Sequence, residues 1–260
     1  MASASLGACK SVRKRHIFAM GNSISKKNSP APPQSRSSRS EISAFLDAAK
    51  AAERPGGGAG RIVLALDATM SRQPTWDLAC GIQGQMFQSV SGVGNLLMQL
   101  VYFRGLNECR ASKWASDGAS LAAIMSRIEC RGGHTQIRKV LKHATKEQAR
   151  DRINALVYIG DAMEESIDDL VQMAGELGLR GVPVFLFQEG HDPVAEAAFR
   201  EIARVTKGGW FRFDRSSASV LARLLSSVAV YAAGGVKALQ SRNSPSDRLL
   251  IEQLSGGNGK

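Results

Sequence analysis

The chain has 260 residues, 43% of them apolar, and a formal charge of +11. That length supports one sizeable core and is too short for two comfortable domains once the tails are set aside. The charge argues only weakly for a nucleic-acid partner, because residues 1–60 carry 10 Lys and Arg against 3 Asp and Glu, residues 61–235 carry 20 against 18, and residues 236–260 carry 4 against 2; the basicity belongs to the ends.

In chain order, residues 1–39 read as a disordered basic tail, rich in Ser, Lys and Arg and without any acid. The same composition fits an organelle transit peptide, and Met20-Gly21-Asn22-Ser23-Ile24-Ser25 matches an N-myristoylation pattern if Met20 is the initiator. Residues 40–60 form a short helix and a Gly-rich linker: Ile42, Phe45, Leu46 and Ala49 share one helical face, and Pro55-Gly56-Gly57-Gly58 ends it. That helix packs on its own domain or docks on a partner.

From Arg61 to residue 235, apolar runs alternate with segments of helical period. Strands are expected at 61–67, 96–103, 153–160, 182–187 and 210–213, with a short antiparallel edge strand at 107–114. Helices are expected at 74–91, 117–127, 136–151, 164–179, 194–206 and 216–233. This alternation predicts an α/β fold, a doubly wound, mostly parallel sheet covered on both faces, with residues 236–260 as a disordered tail. No apolar stretch approaches the ~20 residues that span a bilayer, so no membrane is expected. Cys9, Cys80, Cys109 and Cys130 form no Cys-x-x-Cys pair, which fits reduced thiols in a cytoplasm.

In such a sheet, ligands sit outside the carboxyl ends of the strands. Asp67-Ala68-Thr69-Met70-Ser71 follows the first apolar run directly. Its three hard oxygen groups suit Mg²⁺ or Mn²⁺. The structural alternative has Asp67 and Ser71 capping the helix that starts near Pro74. Gly160-Asp161 puts a second carboxylate behind a later strand, and Gly132-Gly133-His134-Thr135 brings a hydroxyl to the start of a helix. Asp67, Thr69, Ser71, Thr135 and Asp161 can therefore converge.

The pattern of these residues resembles the metal-ion-dependent adhesion site of von Willebrand factor type A (VWA) domains, over residues 61 to about 233. Family members commonly carry Asp-x-Ser-x-Ser and Thr-Asp-Gly; here Thr69 replaces a Ser and Gly160-Asp161-Ala162 replaces the latter, both keeping the ligand atoms. Phe199 to Phe213 resembles the family's last helix-to-strand junction. The resemblance implies a Rossmann-like fold and a small stand-alone bacterial protein. It also implies a Mg²⁺ site at these five residues with one position open to an acidic side chain of a protein partner. No catalytic residue is implied. Resemblance to other bacterial members suggests an AAA-type ATPase or chaperone complex as that partner.

His134, Glu189 and His191 are expected at the metal's rim, and they are the basis of an alternative reading as a metal-dependent hydrolase. A second alternative is association with nucleic acid through the basic tails. Arg138, Lys142, Lys146 and Arg150 recur every four residues along one helix, as a solvated face or a surface for an acidic partner. Glu164, Glu165, Asp168 and Asp169 are expected to favour the amino end of their own helix.

Overall fold

The computed structural model of the protein describes residues 58–70, 73–90, 92–214 and 218–256. Ser71, the tail at 1–39, the helix expected after it and most of the Gly-rich linker lie outside the described residues.

Strands β1 (Gly60–Asp67), β2 (Leu96–Arg104), β3 (Glu108–Ala115), β4 (Ala155–Gly160), β5 (Val184–Glu189) and β6 (Gly209–Phe213) form one sheet in the order β3-β2-β1-β4-β5-β6. β1 pairs in parallel with β2 and β4, and β5 pairs in parallel with β4 and β6. Only β3 runs antiparallel, against β2. The helices are α1 (Gln73–Ser89), α2 (Gly118–Met125), α3 (Ile137–Arg150), α4 (Ile167–Leu179), α5 (Pro193–Thr206), α6 (Ala218–Arg242) and α7 (Pro245–Gly256).

The apolar run of β1 follows from its position in the middle of the sheet, covered on both faces. Its side chains alternate between two cores. Ile62, Leu64 and Leu66 meet Trp76 and Met86 of α1 and Leu225 and Val228 of α6. Val63 and Ala65 join Val140 and Leu141 of α3, Leu170 of α4 and Phe199 of α5 on the other face. In that second core the fully buried Tyr158 lies between Phe103 and Phe199, with ring centroids at 6.1 and 5.4 Å. Aromatic pairs at such spacings contribute about 0.5–1.5 kcal/mol each beyond their buried area.

The chain leaves β1 for α1 on one face and β4 for α4 on the other. The crevice at the carboxyl ends of β1 and β4 is therefore the switch point of the sheet, where a ligand meets loops from both sides. Register fixes what stands there. Leu66 is paired with Ile159, so Asp67 lies one residue past this last shared pair, at the end of β1, and Asp161 two residues past it, in the loop after β4.

Two expectations need correction. The stretch from residue 236, expected as a disordered tail, is helical to Gly256. α6 continues to Arg242 through a kink at Gly235, where φ is +74° and a side chain would be strained. α7 then starts on a capping box: the Asp247 amide donates to Ser244 Oγ at 3.2 Å and the Ser244 amide donates to Asp247 Oδ2 at 2.9 Å. Pro245 takes the first helical position. Among the described residues α6 alone is long and apolar enough to cross a membrane, but Leu221, Leu224, Leu225, Val228 and Ala229 are buried against the sheet and α1. The second correction concerns Glu164 and Glu165, which precede α4: it is capped by Ser166, and only Asp168 and Asp169 lie in its first turn.

Candidate metal centre

Asp67 closes β1 with 4% of its surface exposed, and its Oδ1 accepts the amide of Thr69 at 2.8 Å. This Asx-turn bends the chain immediately after the strand. It aims the Asp67 carboxylate within its own turn, upstream of α1. The Ala68 amide donates to the Phe103 carbonyl at 2.9 Å, so the turn stays tied to β2. Thr69 is buried beside it, and Met70 stands 63% exposed at the tip.

Thr135 reaches the same edge from the loop between α2 and α3. The Arg131 amide donates to the Ala68 carbonyl at 3.0 Å and the His134 amide to the Gly105 carbonyl at 3.2 Å. The loop is thus laced to the ends of both β1 and β2. Gly133 makes this approach feasible, since a Cβ there would fall 2.2 Å from the Gly105 carbonyl oxygen. Thr135 itself is buried.

Asp161, half-buried, follows β4 directly. Three residues on, Glu164 joins its loop to that of Thr135 by a reciprocal pair: the Glu164 amide donates to Thr135 Oγ1 at 3.1 Å, and the Thr135 amide donates to Glu164 Oε2 at 3.2 Å. His134 Nδ1 lies 2.9 Å from the same carboxylate oxygen. Glu165 then accepts the Ile137 and Arg138 amides at 2.5 and 3.0 Å. It thereby caps α3, whose own N-cap residue Gln136 supplies no side-chain bond. Burial pushes the Glu165 pKa up, against those two backbone hydrogen bonds. Neither glutamate was expected in these roles. Their sequence neighbourhood carries only the acid-rich pattern of a helix start, and the pairing partners are about thirty residues away.

The rim residues divide. Glu189 ends β5 on the same sheet edge, 8% exposed, and accepts the Thr75 hydroxyl from the first turn of α1. His134 is exposed and held by Glu164, while His191 is exposed in the loop before α5. The neighbouring Asp192 caps α5 through the Val194 and Ala195 amides. Cys109 is half-buried and Cys130 buried. Burial pushes the Cys109 pKa to about 11, so it stays protonated at neutral pH.

The donor set therefore consists of two carboxylates and threonine hydroxyls, with Ser71 outside the described residues. Among the described residues no group of three or more His, Cys, Asp or Glu gathers as a metal cluster. An all-oxygen set of this kind suits a hard cation and not a soft one. Thr135 Oγ1 keeps a lone pair beyond the hydrogen bond it accepts from the Glu164 amide.

This sheet order, with one antiparallel edge pair and helices on both faces, is the fold of a von Willebrand factor type A domain. The chain is similar to a von Willebrand factor type A structure from Catenulispora acidiphila, with a TM-score of 0.56 at 15% identity, covering 68% of this chain and 43% of that one. The pilus adhesin SpaC from Lactobacillus rhamnosus GG matches with a TM-score of 0.56 at 12% identity, covering 69% of this chain and 31% of that one. Proximal thread matrix protein 1 from the mussel byssus, in a structure with a zinc-occupied MIDAS motif, matches with a TM-score of 0.51 at 17% identity, covering 68% and 46%. The chain thus spans less than half the length of each of these three. At these identities the likeness establishes the fold. No protein-family model matches the chain, and no curated protein does.

Proposed function

We propose that the protein is a non-enzymatic interaction module that holds a divalent cation, Mg²⁺ in the cell, at Asp67, Thr69, Ser71, Thr135 and Asp161. Through that ion it would capture an acidic side chain of a protein partner. When bound, the ion supplies a Lewis-acidic position for a carboxylate oxygen. The chain's own groups do the rest: Asp67 and Asp161 provide negative charge, Thr69 and Thr135 provide hydroxyl oxygens, and Glu164 keeps the Thr135 loop against the Asp161 loop. The observation that carries the reading is the register of Asp67 and Asp161 at the switch point, with Thr135 tied to both their loops.

The surroundings favour a protein partner over a small substrate. Met70 and Leu106, 63% and 78% exposed, stand on the turns after β1 and β2 and offer apolar contact around the site. The partner in this reading is an AAA-type ATPase or a chaperone complex in the cytoplasm. The hydrolase alternative would need His134 as a base, and its pairing with Glu164 is more simply a brace for the Thr135 loop.

Isothermal titration of Mg²⁺ and Mn²⁺ into wild type and Asp67→Ala tests the metal. Saturable binding by wild type that is at least tenfold weaker in the variant is expected. Identical isotherms would end the proposal.

A further inference from the structure

Away from the metal edge, α3 and the edge strand β3 enclose a cleft of about 240 Å³. Its floor is Val101, Cys109 and Ala111, and its wall is Lys139, Lys142 and Lys146 on α3, with His143 between them. The basic stripe of α3 is neutralised at both ends: Arg138 pairs with Asp169 at 3.4 Å and Arg150 with Glu147 at 2.9 Å. Lys139 donates to the Asn107 carbonyl and to Gln136 Oε1, both at 2.9 Å, and to the Asn107 side chain, so its three protons are committed. Lys142 and Lys146 remain, with no acidic partner among the described residues.

His143 does not add to this charge. Gln99 Nε2 donates to the Ser112 carbonyl, which fixes the amide so that Gln99 Oε1 accepts from His143 Nε2 at 2.8 Å. Burial first, with Lys146 and Arg150 acting the same way against Glu147, holds the His143 pKa below its ordinary value. The cleft thus has a neutral floor and two unpaired cations on its rim.

Beside these lysines lies a sheet edge on which no further strand pairs among the described residues. β3 pairs with β2 on one side and ends the sheet on the other. An edge strand offers main-chain groups to an incoming strand. Arg110 lies exposed on it, paired with Glu108 at 2.9 Å, and Lys113 lies exposed as a further cation toward an incoming acidic strand. Spacing agrees. Four residues on a helix rise about 6 Å, and two residues of a strand advance about 6.7 Å.

We infer that β3 and α3 form a second interaction surface, for an extended peptide of a protein partner with acidic residues at every second position. The peptide adds as a strand to the outer edge of β3. Its alternate carboxylates, on the face of Cys109 and Ala111, meet Lys142 and Lys146. A nucleic acid suits the place less well, because no aromatic face lines the cleft: the ring of Trp114, the aromatic residue on β3, is covered by the Arg61 guanidinium at 4.1 Å. The surface is independent of the metal proposal.

The test uses the full chain and two fluorescein-labelled peptides, Glu-Thr repeated four times and a block peptide of four Glu followed by four Thr, with an eight-base oligothymidylate as a third probe. Fluorescence anisotropy should show the alternating peptide binding at least tenfold more tightly than the block peptide and the oligonucleotide. Lys142→Glu combined with Lys146→Glu should abolish it, and binding should weaken with salt. Amide hydrogen exchange should slow within 108–115 on binding. EDTA or Asp67→Ala should change none of this, which separates the surface from the metal site. Equal affinity for the two peptides, tighter binding of the oligonucleotide, or undiminished binding by a folded double variant would overturn the inference. Unaltered exchange in β3 at saturating peptide would do the same.

Discussion

Asp247→Asn is the sharpest probe of how the last two helices are held. Asp247 is fully buried where α7 meets α6. Arg242 Nε donates to its Oδ2 at 2.8 Å, Arg242 Nη2 donates to its Oδ1, and the same Nη2 donates to Ser227 Oγ at 2.9 Å. Burial alone would raise the Asp247 pKa; the hydrogen bonds from Arg242, Ser244 and Ser227 outweigh it and hold the pKa at about 2, below the ordinary 3.8. Taken at full strength, that lowering corresponds to about 2 kcal/mol of stability. The Arg242 side chain is 29% exposed, and solvent screening brings the expected contribution to about 1–2 kcal/mol. Because the folded pKa is depressed, this stability is present above about pH 4 and is lost as the pH falls toward 2. Urea unfolding of wild type and Asp247→Asn, followed by tryptophan fluorescence, should show a gap of about 1–2 kcal/mol at pH 7 that narrows below pH 4. A gap of the same size at pH 7 and pH 2.5, or none at pH 7, would refute the electrostatic account.

Two further variants test the metal edge. Gly133→Ala forces a Cβ onto the Gly105 carbonyl, while a Cβ at Gly132 meets nothing within 4 Å. Thermal denaturation should therefore show a loss of about 1–3 kcal/mol for Gly133→Ala and almost none for Gly132→Ala. Glu164→Ala removes the carboxylate that braces His134 and Thr135, and Mn²⁺ affinity read by electron paramagnetic resonance should fall about 10- to 100-fold; an unchanged affinity would remove Glu164 from the support of the site.

What the sequence disclosed depended on how far each signal reaches along the chain. The β1 and β4 runs are continuous and apolar because those strands are covered on both faces, and the acids directly behind them were visible for that reason. The antiparallel edge was legible from Glu108 to Trp114 for the opposite reason, its mixed polarity. Ser244-Pro245-Ser246-Asp247 carries a complete helix-start signal, yet the Gly234-Gly235 pair ahead of it reads as an end. The helix passes through that pair by placing Gly235 at positive φ. The partners of Glu164, Glu165 and Glu189 were opaque in a different way. Each glutamate acts on a group brought near only by the fold, the last of them on Thr75, 114 residues away. Local pattern supplies no term for such pairings: the acid-rich stretch reads as serving α4, whereas Glu164 braces the Thr135 loop and Glu165 caps α3.

The loop after β4 supports both the proposed metal edge and the first turn of α3. Asp161, Glu164 and Glu165 lie within five residues of each other, and they serve in turn the proposed metal position, the Thr135 loop and the amino end of α3. Glu165 replaces the missing cap of α3, so the first turn of that helix is fixed by the same segment that positions Asp161. The remainder of α3 is fixed by its buried face, where Val140, Leu141 and Ala144 meet the sheet. Its outer lysines consequently project from a rigid support, which lowers the ordering cost of binding a partner there. With the globular part nearly neutral, affinity for acidic chains has to come from local arrangement, and α3 provides it by pairing its outer cations internally and leaving two at the spacing of a strand.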